Sequence, residues 1–307
     1  IELGGKRSAR VEVARAERDF AFLSYKSALA DLERDIRFAH ANLRSAEDRA
    51  VLARDNVTAS DELLRTAKVL VEVGRDPPLR ELRAQAQLAE AKAEQARTFG
   101  ELLVARQLLA TLIGSADGEP TATIMSEDAP PTLPPDTETL DVQLAFAERG
   151  AALARVRLAR ADAVPDITGS AGVRRFGEGR ETAFVAGISI PLPVRDRNRG
   201  NIDAAQSDSL AAESGLALAR LDANRARYEA RMLLGAAEMR YEALAGPGIA
   251  QAEEALRLAR LGYNAGKFSL LELLDAQTTL TQAKLNLIEA RLDRARALAA
   301  LIRANAQ

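Results

Sequence analysis

Two carboxylates, Glu272 and Asp275, are the residues whose type and spacing best suit a functional role in this sequence. They lie three positions apart, so in a helix their side chains share one face. Paired carboxylates concentrate negative potential and attract cations. The simpler alternative is a charged helix face that is exposed to solvent and has no further role.

Residues that usually carry catalysis or bind metals are scarce in these 307 residues. The sequence has no Cys and one His, His40, which excludes disulfides, thiolate chemistry and a ligand set for Zn or Cu. It shows no nucleophile–base set, and Gly4-Gly5-Lys6-Arg7 is too short for a phosphate-binding loop. With 42 Lys+Arg against 44 Asp+Glu, the sequence gives no reason to expect nucleic acid. We therefore predict no enzyme, no cofactor and no metal site.

Long helices with heptad patterns surround the two carboxylates. Alternating steps of three and four from Phe22 to Val71 meet apolar residues or Tyr at every position but one, which predicts a coiled-coil helix from about Ser8 to Val73. Similar seams run over 202–237 and 271–302, beginning at Ile202 and at Leu271 with Leu274 and Thr278. Gly246-Pro247-Gly248 should break or kink the helix there. No run reaches the ~18 apolar residues of a membrane-spanning helix.

The sequence resembles itself at an offset of 192 residues. Gly74 aligns with Gly266, and Leu-x-x-Leu-x-Ala-Gln follows each glycine at the same distance. Chance agreement is the alternative, since Ala and Leu are common, but the shared register favours an internal duplication. We predict a first repeat over 1–113, a connector over 114–135 and a second repeat over 136–307, each with a long helix, a tight glycine turn and a returning helix.

The second repeat is predicted to begin with a helix capped by Asp136 and to end with a helical hairpin at about 200–305. Between them, two segments at about 164–194 alternate between apolar and small or polar residues around a turn at 177–180. Their length suits two membrane-spanning strands. We expect one face to contact lipid, through Ile167, Val173, Phe184 and Ile188. A soluble hairpin packed on a helix is the alternative.

A lone hairpin leaves its edges unpaired, so further strands are expected to close it. Residues 1–7 correspond in position to the end of the second repeat's hairpin, at 188–197. We therefore expect the first repeat's hairpin to be mostly missing from this chain.

The segment Leu261 to Gln277, LGYNAGKFSLLELLDAQ, together with the duplicated hairpins, resembles the TolC-type outer-membrane efflux factor family. Residues 1–7 and 189–202 look like its heavy-metal branch, the cobalt–zinc–cadmium efflux components. The resemblance implies a mainly α fold and a homotrimer. In that family duplicated coiled-coil hairpins form a periplasmic α-barrel, and β-hairpins form a twelve-stranded trimeric β-barrel in the outer membrane.

The same resemblance implies a passive exit duct in the outer membrane of a Gram-negative bacterium. Its partners would be outer-membrane lipid, a periplasmic adaptor (a membrane fusion protein) and, through the adaptor, an inner-membrane resistance–nodulation–division pump. The expected cargo is divalent heavy-metal cations such as zinc, cobalt or cadmium; the alternative cargo is drugs or secreted protein. A periplasmic adaptor with one coiled-coil hairpin and several β domains fits less well, as does a coiled-coil scaffold, which leaves the strands unexplained.

The resemblance also assigns roles to the two glycine turns. They would dock the adaptor at the periplasmic tip, through Val73, Gly74, Arg75, Ala265, Gly266 and Lys267. Glu272 and Asp275 match the acidic pair that lines the constriction, so three chains would bring six carboxylates together. Their counterparts at the 192-residue offset are Arg80 and Arg83, where drug- and protein-exporting relatives differ. We hypothesise that interchain pairs between these arginines and carboxylates lock the closed tip.

Overall fold

The computed structural model of the chain describes residues 2–114, 138–175, 182–191 and 197–307. Within these ranges a β-hairpin lies among long helices, as the mainly α prediction requires. The helices are α1 (Lys6–Glu72), α2 (Pro78–Ile113), α3 (Leu140–Asp162), α4 (Arg199–Ala243), α5 (Ile249–Asn264) and α6 (Leu270–Ala304). The strands are β1 (Thr168–Arg175) and β2 (Thr182–Ser189).

Helix α1 has 67 residues, which confirms the long helix predicted from about Ser8 to Val73. Five seam positions spaced by seven are at most 8% exposed: Ala39, Ala46, Ala53, Ser60 and Ala67. Nearer the start of the helix, the seam residues Phe22 and Tyr25 are 58% and 60% exposed. The apolar pattern of α1 therefore continues into a part of the helix where its side chains are exposed in this single chain.

A π-helical turn over Leu244–Gly248 joins α4 to α5 where the sequence predicts an interruption. Pro247 lacks a backbone N–H, so one hydrogen bond of a regular α-helix is missing here, and the helix continues through a single π turn. Buried residues recur every seven positions on both sides of the turn: Ala230 and Ala237 before it, Ala252 and Ala259 after it. The interruption is thus a change of helix type rather than a loss of helix.

The chain divides into two compact units. The first is drawn from residues 1–29, 133–226 and 305–307, and the second from 30–132 and 227–304. Each unit therefore combines segments from both predicted repeats.

In the first unit, α3 begins at Leu140 because the Thr139 side chain caps it, accepting a hydrogen bond from the Val142 N–H at 3.3 Å. The predicted cap, Asp136, lies outside the described residues, and the described helix starts later than predicted. Ion pairs connect α3 to α1, with Arg155–Glu17 at 2.8 Å and Arg157–Glu12 at 2.9 Å. Val142 also packs with Leu216 and Ala223 of α4.

The second unit has its core along three helix contacts. Helix α1 packs on α2 through two clusters, one around Leu43, Leu102 and Leu109 and one around Leu64, Ala67, Ala84 and Leu88. A third cluster joins α1, α5 and α6 through Leu63, Leu256, Ala259, Tyr263, Leu270 and Leu273. This third cluster lies beside the glycine turn between α5 and α6.

The apolar seam predicted at the start of α6 is wrong by one position. Leu270, Leu273 and Gln277 are the buried residues, whereas Leu271 is 61% exposed. The sequence offers two adjacent apolar stripes here, one starting at Leu270 and one at Leu271. Packing against α5 buries the first of them.

Three predicted segments fall wholly or partly outside the described residues. They are the connector over 114–135 apart from Gly114, the turn over 177–180, and residues 192–196 within the segment 189–202.

Candidate functional site

The two glycine turns have the same backbone hydrogen bonds at the 192-residue offset. In the first, the N–H groups of Arg75 and Asp76 donate to the Leu70 carbonyl at 2.9 and 3.1 Å. In the second, those of Lys267 and Phe268 donate to the Gly262 carbonyl at 2.8 and 3.2 Å. This pattern is the Schellman-type end of a helix. The agreement supports the proposed duplication.

Each turn places one glycine in the left-handed region, which L side chains rarely adopt. The φ angle is +70° at Gly74 and +69° at Gly266. A Cβ added at either position would meet no atom within 4 Å. Backbone conformation, rather than crowding, therefore requires glycine here. The neighbouring turn residues are exposed: Val73, Arg75, Ala265 and Lys267.

The second turn is also held by contact between Gly262 and the ring of Phe268. A Cβ at Gly262 would lie 2.2 Å from Cδ2 of Phe268, closer than any real contact. The ring thus packs directly on the helix backbone. No such contact is described at the first turn, where position 76 is Asp.

A carboxylate of the first turn lies near a buried phenol of the second turn. Asp76 of the first turn forms an ion pair with Arg80, and the Asp76 side chain is only 8% exposed. Tyr263 of the second turn is also 8% exposed. Burial raises the pKa of the Tyr263 phenol, and the nearby Asp76 carboxylate raises that pKa further. Among the described residues, neither Asp76 Oδ2 nor the Tyr263 hydroxyl completes a hydrogen bond.

Asp76 and Tyr263 were not identified from the sequence. The spacing of Asp76 and Arg80, four apart at the start of a helix, was a usable signal for an ion pair. The proximity of Tyr263 had no local signal, because it depends on how the two turns pack.

Glu272 caps helix α6 together with Ser269. The Glu272 carboxylate accepts a hydrogen bond from the Ser269 N–H at 2.6 Å, and the Ser269 Oγ accepts one from the Glu272 N–H at 3.4 Å. These reciprocal bonds form a capping box. Hydrogen bonding from the Ser269 backbone, and then from its side chain, lowers the pKa of the Glu272 carboxyl. The Ser-x-x-Glu pattern was visible in the sequence, but its capping role was not predicted.

The predicted gate residues differ in their partners within the chain. Arg80 contacts Asp76, and Glu272 contacts Ser269. Arg83 and Asp275 are exposed and have no hydrogen bond or ion pair with any described residue. The arrangement leaves Arg83 and Asp275 available to a partner outside the chain.

The β-hairpin presents one apolar face. Strands β1 and β2 pair antiparallel, with Val173 opposite Phe184 and Gly169 opposite Ile188. Val173, Phe184 and Ile188 therefore share a face, and they are 63%, 89% and 79% exposed. Ile167, predicted on the same face, lies before β1 and is half-buried. Among the described helices, none is both long and apolar enough to cross a membrane.

No group of three or more His, Cys, Asp or Glu in the described ranges is placed to hold a metal ion. The candidate functional features are therefore the two neighbouring glycine turns with their charged residues, and the hairpin with its exposed apolar face.

Comparison with known proteins agrees with this geometry. The family model described as "Outer membrane efflux protein" matches residues 1–115 and 137–307. The chain is 36% identical over 234 residues to the nickel-cobalt-cadmium resistance protein NccC of Alcaligenes xylosoxydans, covering 75% of this chain and 54% of NccC. It is 31% identical over 293 residues to the cobalt-zinc-cadmium resistance protein CzcC of Cupriavidus metallidurans, covering 93% of this chain and 70% of CzcC.

The chain thus spans about half the length of NccC. Among solved structures, CusC matches with a TM-score of 0.86 over 99% of this chain and 75% of the CusC chain. The CusC structures concern folding and the formation of a transmembrane channel. At 20% identity this likeness shows the fold alone.

Proposed function

The chain belongs to the outer membrane efflux protein family, and we propose that it forms part of a passive exit duct in the outer membrane. The observation that carries the proposal is the family match, which covers all residues except 116–136. The exposed apolar face of the hairpin supports it, since that face suits contact with lipid.

We propose divalent heavy-metal cations, such as zinc, cobalt or cadmium, as the cargo. The likeness to NccC and CzcC, both resistance proteins for such metals, supports this choice over drugs or secreted protein. The chain would conduct the cargo without binding it as a resident metal. Selection among metals then belongs to the inner-membrane pump.

The working assembly is proposed to be a homotrimer that meets a periplasmic adaptor and, through it, a resistance–nodulation–division pump. Adaptor docking is assigned to the two glycine turns. Their matched backbone geometry supports this, because it presents two similar exposed surfaces from one chain.

The constriction is assigned to Glu272 and Asp275. Three copies would bring six carboxylates around one aperture, which favours passage of cations. Of the four predicted gate residues, Arg83 and Asp275 have no partner among the described residues, whereas Arg80 and Glu272 do. An interchain lock would therefore rely first on Arg83 and Asp275.

Growth tests the proposal. The protein, expressed from its complete gene with its own adaptor and pump, is placed in a strain that lacks its outer-membrane factor. Zinc, cobalt and cadmium are titrated beside a panel of hydrophobic antibiotics. We expect rescue on metals alone. Rescue on antibiotics alone would keep the duct and overturn the cargo, and rescue on neither, with the protein in the outer membrane, would contradict the efflux function.

Single-channel conductance tests the constriction and the lock in the same protein. Neutralising both carboxylates, by Glu272→Gln with Asp275→Asn, should lower the preference for cations. The matched control is Glu242→Gln, an exposed carboxylate on α4. Arg80→Ala with Arg83→Ala should raise conductance if the arginines lock the tip; unchanged conductance would contradict the lock.

A further inference from the structure

The apolar face of the hairpin ends in an arginine. Going along β1 towards the turn, every second residue pairs with a residue of β2 on that same face: Gly169 with Ile188, Ala171 with Ala186, Val173 with Phe184, and Arg175 with Thr182. The face is thus apolar up to Val173 and Phe184 and becomes basic and polar at Arg175 and Thr182.

The neighbouring Arg174 lies on the opposite face. It pairs with Ala183, in line with Gly172–Val185 and Ser170–Gly187. The close approach of Ser170 Oγ to Gly187, at 3.0 Å from a Cβ built there, shows that these partners share a side. Two adjacent arginines of one strand therefore point to different surroundings, since side chains alternate along a strand.

Both arginines are exposed, and neither has a hydrogen bond or ion pair with any described residue. The described strands β1 and β2 contain no Asp or Glu. Positive charge at this end of the described hairpin is therefore not balanced by the strands themselves.

The position of Arg175 suits the boundary between hydrocarbon and headgroups. Two residues of strand carry it about 7 Å beyond Val173. Its aliphatic stem can lie along the apolar face while the guanidinium reaches polar surroundings. Phe184 is its diagonal neighbour across the pair, and aromatic rings favour this boundary in membrane strands.

We propose that Arg175 binds the phosphate of a lipid headgroup at the turn end of the hairpin, and that Arg174 does not. The proposal rests on the proposed function, which places the hairpin in the outer membrane. Because α3 precedes β1 and α4 follows β2, the helices adjoin the open end of the hairpin. With those helices in the periplasm, the turn end meets the outer leaflet, and a guanidinium matches a phosphate in charge and geometry.

Native mass spectrometry of the complete protein in detergent tests the site, with wild type, Arg175→Gln and Arg174→Gln compared. The probes are lipid A, its dephosphorylated form and inorganic phosphate. We expect wild type and Arg174→Gln to bind lipid A equally, and Arg175→Gln to bind it about fivefold more weakly, the effect of one arginine near an anionic surface. The dephosphorylated lipid should bind all three proteins alike.

Several results would overturn the site: equal lipid A binding by both variants, wild-type binding unaffected by loss of the lipid phosphates, or Arg175-dependent binding of inorganic phosphate as strong as that of lipid A. Insertion into the outer membrane is scored separately by cell fractionation. A protein absent from that fraction contradicts the proposed function. An inserted protein whose variants bind lipid A alike contradicts the phosphate site alone.

Discussion

The phenol of Tyr263 lies beside the carboxylate of Asp76, although the two residues belong to different helical turns. The Tyr263 residue and the Asp76 side chain are each only 8% exposed, and Asp76 is also paired with Arg80. The contact joins the two turns that are proposed to dock the adaptor.

Replacing Asp76 should make Tyr263 easier to ionise. In Asp76→Asn the negative charge that disfavours the phenolate is gone, while Arg80 remains to favour it, so the pKa of Tyr263 falls. Ultraviolet difference titration of the complete protein measures this, and Tyr263→Phe assigns the signal among the four tyrosines. Asp275→Asn is the control and should leave the titration unchanged. An unaltered Tyr263 signal in Asp76→Asn would show that the two groups do not interact.

Tyr263 should also make the fold sensitive to alkali. Its folded pKa is raised, so its contribution to stability is complete below the unfolded pKa of about 10 and is lost as pH rises through the folded pKa. The melting temperature of the wild type should therefore fall more steeply in that range than that of Tyr263→Phe. Parallel curves for the two proteins would be inconsistent with this linkage.

The capping role of Glu272 can be separated from its charge. Ser269→Ala should cost about 1 kcal/mol of stability and leave cation preference unchanged, because it removes the hydroxyl that accepts from the Glu272 N–H and keeps the carboxylate. Glu272→Gln should lower cation preference and lose only the charge-dependent part of the cap, since Gln also serves in a capping box. Thermal unfolding and conductance are measured on both variants.

The cap should weaken in acid. The folded pKa of Glu272 is lowered, so its contribution is present above the unfolded pKa of about 4.3 and is lost as pH falls through the folded value. Glu272→Gln should lack this dependence. A pH profile identical to that of the wild type would argue against the hydrogen bond from Ser269.

Alanine at the turn glycines should destabilise the protein through backbone strain alone. Gly74→Ala and Gly266→Ala each force a Cβ into the left-handed region, at a cost of about 1 kcal/mol. Gly100→Ala is the matched control. That glycine lies within α2 with equally open space around it, and the change should stabilise by about 0.5–1 kcal/mol. The melting temperatures of all three variants test this, and an equal shift in all of them would contradict the role of the positive φ angle.

Gly262→Ala should cost more than either turn variant, about 1–3 kcal/mol, because the new Cβ collides with the Phe268 ring. Adding Phe268→Ala should remove the collision. The double variant should then melt no lower than Phe268→Ala alone. If Gly262→Ala lowers the melting point equally in both backgrounds, crowding by the ring is not the cause.

Periodicity accounts for what the sequence predicted well. The seven-residue spacing in α1 is repeated many times, so it identifies the helix. The two-residue alternation along the strands places Val173 and Phe184 on one side, so it identifies the apolar face of the hairpin. It could not choose between the stripes of Leu270 and Leu271, since both are apolar and only the position of α5 decides. Nor could it pair Asp76 with Tyr263, because that contact depends on tertiary packing.

The π-helical turn has a consequence for how this helix can change by insertion or deletion. Ala237 and Ala252 are fifteen positions apart, one more than two heptads, and the wider turn over Leu244–Gly248 takes up the extra residue. A relative with an uninterrupted α-helix here must lack one residue between these positions to keep both stripes buried. Single-residue gaps in alignments of the family should therefore cluster at this turn, and they should coincide with loss of the Gly-Pro-Gly sequence.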